Sequence, residues 1–345
     1  MTTTEQLPKE SLAFPDYYDA KRQLVNNRLN LYVTDLAVHA DLAPKVFQAI
    51  EECLVKRERP KPKRLRPVLA HLVHDLVGGV SPAISQIAIV PEVAHAASLI
   101  RDDQDDNDMY RGEDRSIHAK YGNEVANEAF EFLTTNEPYR LLDTPEPLLP
   151  EGSIDKLYLH YSNFDRTIRD GQKKDVDWSQ NQVIPSVDQY LEVCREKTAS
   201  TFELAVYIGT VTAGASSEQT QVLIEAVRKA AIAFQLRDDL LDLDPNNKTF
   251  GNDILKKKVT LPIVFASETK KHQDLDEQFF EGEQDAKKMR RIYEILLNTG
   301  SIERTKEVAM RLIGDSLYDM SNYFASSPYL EIVNAFLRYN LDRKI

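Results

Sequence analysis

Two stretches of this chain end alike: AHAASLIRDDQDD at 94–106 and AAIAFQLRDDLLD at 230–242, each an apolar, helix-patterned lead-in running into Arg-Asp-Asp-x-x-Asp. In a helix, residues four apart share a face, so Asp102 stacks on Asp106 and Asp238 on Asp242. Like charges at that spacing are unfavourable, and near a helix C-terminus the macrodipole disfavours them further. A fold that buries both lead-ins is therefore expected to relieve its carboxylates with cations. An all-oxygen donor set suits Mg2+, or alternatively Mn2+, with water and a substrate oxyanion completing the octahedron. One such cluster alone reads as a solvated acidic turn. Its repetition after two apolar helices favours two acidic ends meeting at one mouth of a helical cavity.

The rest of the pattern is also helical, with little strand alternation. Helical segments are predicted at 16–57, 65–77, 83–108, 115–134, 153–172, 187–213, 217–243, 252–269, 283–298, 301–325 and 328–341. Between them fall Gly78-Gly79, DTPEPLLPEGS at 143–153, Pro185, Gly214, Asp244-Pro245-Asn246-Asn247 and Gly300. No stretch is rich enough in Pro, Gly or Ser to separate two domains. The expectation is an all-α fold, a single helical domain over 16–345 behind a loose tail at 1–15.

Composition excludes several classes. Net charge is −12, from 43 Lys and Arg against 55 Asp and Glu, which opposes nucleic-acid binding. Cys53 and Cys194 are too few for a disulfide framework or a four-thiolate zinc site, and they suit a reducing compartment. His71 and His74 are three apart without a further Cys or His partner, which argues against zinc. No run approaches a transmembrane length, and MTTTEQLPKE has no signal-peptide pattern, so a cytoplasmic location is expected.

Basic residues give the acidic clusters a context. KRLRP (63–67), GQKKD (171–175), Lys197-Thr198 and GNDILKKKVTLP (251–262) are distributed around them. Carboxylates that hold metal, with Lys and Arg to reach phosphate oxygens, indicate a Mg2+–polyphosphate substrate. There is no Gly-x-x-x-x-Gly-Lys-Ser/Thr loop, so this is not a P-loop site. The apolar lead-ins suit a substrate with a hydrocarbon tail.

From about Lys63 to Pro262 the chain resembles the trans-isoprenyl diphosphate synthases, the polyprenyl synthetase family that includes geranylgeranyl and farnesyl diphosphate synthases. The resemblance rests on KRLRP, EVAHAASLIRDDQDD, GQKKD, KTA (197–199), FQLRDDLLD and GNDILKKKVTLP, in the expected order. It implies an all-α bundle around a deep central cavity, assembled as a homodimer, joining isopentenyl diphosphate to an allylic diphosphate. It also implies that Asp102, Asp106 and Asp238 bind Mg2+ directly, helped by Asp103, Asp239 and Asp242. Arg111, Lys197, Gln235 and Lys258 would contact the allylic diphosphate, with Lys197 and Thr198 near the reacting carbons. Lys63, Arg66 and His95 would hold isopentenyl diphosphate, and the basic Arg343-Lys344 could lie near the same site.

The chain departs from the family in places. Where the family has two arginines and a glycine after the first acidic motif, this chain has Arg111 then Gly112, with Arg115 close by. Where the family has an apolar run ending in Gly-Asp, it reads NEVANEAFEFL, and Glu131 could replace that aspartate. Arg101 is set to pair with Asp105 four residues on. One turn before Asp102 the small Ala97 and Ser98 would form a cavity floor that admits a long tail, implying a product of twenty carbons or more. Two rivals remain: a class I terpene cyclase, which would not need the second acidic motif or the Lys63/Arg66/His95 pocket, and a non-catalytic partner subunit, which would be expected to lose aspartates that are all kept here.

Overall fold

Prolines, glycines and capping serines divide the helical segments more finely than the periodicity predicts. The computed structural model describes residues 13–56, 62–143, 149–247, 250–269 and 275–339. The expected first helix is two, α1 (Phe14–His39) and α2 (Pro44–Glu51), because Pro44 opens a new first turn; a π turn, Glu52–Lys56, continues α2. α3 is Leu65–Leu76. The segment predicted at 83–108 splits into α4 (Ile84–Ile87) and α5 (Val90–Asp105), with Pro91 in the first turn of α5.

A two-residue hairpin follows, β1 (Tyr110–Arg111) with β2 (Asp114–Arg115), the only strands among the described residues. Then come α6 (Ile117–Tyr121) and α7 (Asn123–Thr135), separated at Gly122, whose φ of 94° a side chain would resist. α8 (Glu137–Leu142) precedes α9 (Ser153–Asn181), which runs beyond its predicted end.

α10 (Val187–Cys194) starts at Ser186 and α12 (Ser217–Asp242) at Ser216, each with a full capping box to a Gln three residues on. Between them a second π turn, Arg195–Ala199, leads into α11 (Ser200–Ala213). The remainder is α13 (Asn252–Leu255), α14 (Leu261–Ser267), α15 (Leu275–Phe280), α16 (Ala286–Asn298), α17 (Ser301–Tyr323) and α18 (Leu330–Tyr339).

α12 organises the interior. Its first half, Leu223 to Ala231, belongs to a large apolar cluster with α1–α9, α11 and α18. Its second half, Ala233 to Leu240, joins a smaller one with α10, α13–α16 and the first part of α17. α12 packs most extensively on α17, and α11 on α3. The second pairing is tight at Gly209, where a Cβ would lie 2.6 Å from the Ala70 carbonyl oxygen. Among the described residues no helix is long and apolar enough to cross a membrane.

Candidate active site

α5 and α12 bring their acidic C-termini to one cavity of about 660 Å3, walled also by α7, α9, the second π turn and α11. Asp102, Asp105, Asp175, Asp238, Asp239, Lys197 and Lys258 make its charged part. One to two turns back along α5 lie Ala94 and Ser98, and back along α9 lie Phe164 and Ile168, so small and apolar side chains join the lining away from the helix ends, beside Glu131, Asp165 and Arg169. A charged head and a hydrocarbon tail could share this volume.

The six predicted metal ligands divide into two sets. Asp102 faces the cavity, its Oδ1 3.9 Å from Lys197 Nζ, and Asp238 lines the cavity from α12. Asp106, the C-cap of α5, is exposed and lies outside the lining, although its charge is felt at Lys258. The other three are engaged by the protein itself. Asp103 is buried and takes a two-pronged ion pair from Arg111, with Nε 2.9 Å from both oxygens and Nη2 2.5 Å from Oδ1. Asp239 accepts from Tyr190 Oη at 2.5 Å, Gln235 Nε2 at 3.1 Å and the Leu261 amide at 3.3 Å. Asp242 accepts from the Asn252 and Asp253 amides at 3.1 and 3.0 Å, tying α12 to the start of α13.

Rotation accounts for Asp103: residues one apart on a helix differ by about 100°, so with Asp102 facing the cavity Asp103 faces protein, whereas Asp239 lines the cavity and is held by the protein as well. Burial pushes the Asp239 carboxyl up to about 7 against its hydrogen bonds, and burial with the nearby Asp253 does the same to Asp242.

Lys197 sits on the π turn, an inserted residue that re-aims a helix face. Its Nζ is 2.5 Å from Asp175 Oδ2. Burial opposes its charge, but Asp102 and Asp175 outweigh burial and raise it above the ordinary lysine range. Lys258 behaves alike, with Asp253, Asp175, Asp106 and Asp102 overcoming its burial. Burial likewise opposes ionised Asp175, and the two lysines win and hold it low. Thr198 Oγ1 donates to Gln235 Oε1 at 2.8 Å, and Gln235 in turn holds Asp239. Gly171 explains why GQKKD belongs here: a Cβ on it would lie 2.6 Å from Glu196 Cβ, so only glycine lets α9 approach the π turn.

Of Lys63, Arg66 and His95, two line the cavity. Arg66 lines the cavity, donates from Nε to Thr201 Oγ1 at 2.6 Å, and lies 4.5 Å over the Phe202 ring. Burial lowers it to about 10, which leaves it charged at neutral pH. His95 also lines the cavity and is kept neutral, first by its distance from bulk solvent and then by Arg66, Arg111 and Arg64. Lys63 is not among the lining residues; its carbonyl accepts from Tyr18 Oη at 2.5 Å. Lys63 and Arg66 do not share a helical turn, because Arg64 is left-handed (φ 56°) and α3 begins at Leu65. Arg64 instead turns inward to Glu92 at 2.7 Å, Asn26 at 3.0 Å and the Leu54 carbonyl at 2.5 Å.

Other expectations are redistributed. Arg111 is turned to Asp103 and does not line the cavity, and Arg115 is exposed on the hairpin. Ala97 is fully buried in the core and is not a lining residue, whereas Ser98 is, for the same rotational reason. Glu131 lines the cavity, and Arg101 pairs with Asp105 at 3.0 Å as its spacing predicts. Arg343-Lys344 lies outside the described residues. Two participants had no assigned role in the sequence reading: Asp175, visible within GQKKD, and Tyr190, which carries no local signal. Lys256 also pairs with Asp108, joining the loop after α13 to the loop after α5.

Among the described residues no three Asp, Glu, His or Cys side chains form a ready-made metal cage. Carboxylates from two helices beside two lysines still fit Mg2+, which typically takes one or two protein carboxylates and completes its shell with water and phosphate oxygens.

The comparisons agree with this geometry. The model of the polyprenyl synthetase family matches residues 47–296. A geranylgeranyl diphosphate synthase of Methanosarcina mazei is 29% identical over 265 residues, covering 73% of this chain and 76% of that protein. A geranylfarnesyl diphosphate synthase of Aeropyrum pernix is 32% identical over 210 residues, 59% of this chain and 66% of that one. The structure of a geranylgeranyl pyrophosphate synthase from Corynebacterium glutamicum, complexed with isoprenyl diphosphate and magnesium, superposes with a TM-score of 0.81 at 19% identity, over 96% of this chain and 100% of that one. With the family model matched across most of its length and the two acidic helix ends facing one cavity, this chain belongs to the polyprenyl synthetase family.

Proposed function

We propose that the protein is a prenyl diphosphate synthase that joins isopentenyl diphosphate to an allylic diphosphate, giving an all-trans product of twenty carbons or more. The observation that carries this reading is the single cavity shared by Asp102, Asp238, Lys197 and Lys258 at its charged part and by Ser98, Phe130, Phe164 and Ile168 beyond. The names of the relatives, geranylgeranyl and geranylfarnesyl diphosphate synthase, support the product class.

Asp102, Asp106 and Asp238 would hold Mg2+, which when bound neutralises charge on the departing diphosphate. Lys197 and Lys258, kept cationic by the surrounding carboxylates, stabilise the same charge as the allylic C–O bond breaks. Arg111 acts at one remove by fixing Asp103. The apolar walls keep water from the allylic cation. Arg66 and His95 position isopentenyl diphosphate so that its double bond attacks. The new C–C bond forms, and the proton lost passes to the released diphosphate. Thr198 and Gln235 brace the wall beside Lys197. The assembly proposed is a homodimer, on the strength of the family alone. A cytoplasmic location fits the free thiols of Cys53 and Cys194.

The test is a product assay with Mg2+, labelled isopentenyl diphosphate, and dimethylallyl, geranyl or farnesyl diphosphate in turn. Labelled prenyl diphosphate of twenty or more carbons is expected. Hydrocarbon formed from the allylic substrate alone would identify a terpene cyclase. No turnover with any pairing would identify a non-catalytic subunit.

A further inference from the structure

With Ala97 turned into the core, the α5 wall of the cavity before Asp102 is made by the small Ala94 and Ser98 together with His95 and Leu99. The wall made by α7 and α9 is built differently. α7 packs on α5 and α9 on α11, and the side chain of Arg169 crosses from α9 to α7. Its Nη2 donates to Thr134 Oγ1 at 3.1 Å, its Nε lies 3.0 and 3.1 Å from the Asp165 oxygens, and its guanidinium sits 5.0 Å from the centre of the Phe130 ring. Thr134 is itself fixed, donating to the Phe130 carbonyl at 2.9 Å and accepting on its own carbonyl from Tyr161 Oη at 2.9 Å. Arg169, Asp165, Phe130 and Thr134 all line the cavity.

A guanidinium is an unusual wall for hydrocarbon. A tail that pushed past it would have to displace the Arg169 side chain from Asp165, Thr134 and the face of the Phe130 ring. The pair is 40% and 31% exposed, so its own contribution to folding is small and its removal should leave the fold intact.

We propose that Arg169 is a specificity-determining residue: strapped across from α9 to α7 by Asp165, Thr134 and Phe130, it closes the tail cavity and sets the length at which the product stops. This rests on the reading as a prenyl diphosphate synthase.

The experiment compares the product lengths of the wild type, Arg169→Ala and Thr134→Val, each with Mg2+, isopentenyl diphosphate and farnesyl diphosphate. Thr134→Val removes the α7 anchor while keeping the volume, and it decides the matter if the alanine variant does not fold. The expected result is a shift of the main product by at least one five-carbon unit toward longer chains in the folded variants. A slower enzyme with an unchanged or shorter product would overturn the proposal, since a merely structural role changes rate and not length. If the wild type makes no prenyl diphosphate at all, the synthase reading falls and the proposal with it.

Discussion

Asp102 and Asp103 are neighbours in sequence and opposites in role, and single substitutions should separate them. Asp102→Ala removes a carboxylate that faces the cavity, 3.9 Å from Lys197. Turnover should fall by orders of magnitude with thermal stability nearly unchanged; near-normal turnover would end the metal-site assignment. Asp103→Ala instead strands Arg111 in a largely buried position, at a cost of about 3 kcal/mol. Chemical denaturation would detect that loss directly.

His71 supplies a pH prediction. Burial, then Lys21 and His74, hold its imidazole down to about 3 from an ordinary 6.5. The folded state therefore resists a proton that the unfolded state takes, so this contribution is present above pH 6.5 and is lost as pH falls from there toward about 3. Replacing His71 by Leu should flatten the acid side of a stability-versus-pH curve, and an unchanged slope would show that His71 does not contribute.

Among elements, the second π turn does most to place the chemistry. It carries Lys197 and Thr198, and α9 reaches it only because residue 171 has no side chain. Gly171→Ala should force the two backbones apart, costing about 1–3 kcal/mol and displacing Lys197 from Asp175. The expected signature is a fall in kcat larger than the loss of stability explains. A variant with full activity would show that the close approach is incidental. The helical segments themselves were legible from periodicity, yet neither π turn was, because a phase shift of one residue is hidden by the scatter of the apolar pattern. The breaks at Pro44, Pro91 and Gly122 were each written in the sequence as residues with restricted or special backbones.

For the whole molecule, the acidic cavity is a linkage device. Burial drives Asp239 and Asp242 toward the protonated form, while Lys197 and Lys258 balance only part of the negative charge around them. A ligand that supplies cations there binds the folded state alone and must stabilise it. Mg2+ with inorganic diphosphate should raise Tm by several degrees and chelation should reverse the rise. Asp238→Ala should abolish most of the effect, and an equal rise in that variant would place the ligand elsewhere.

The sequence by itself determined the all-helical class and which helices end in acid, because both follow from residue spacing and from chemistry carried within a few residues. It also marked the lysines and Gly171 through their motifs. Only the tertiary structure decided which aspartate faces the cavity and which is held by Arg111, Tyr190 or a helix start, and that Lys63 stays off the wall while Arg66 lines it. Those outcomes depend on the rotation of each helix about its axis and on partners 8 to 49 residues away, as in Arg111–Asp103 and Tyr190–Asp239. Spacing along one helix carries no record of either. Packing against the rest of the chain fixes both.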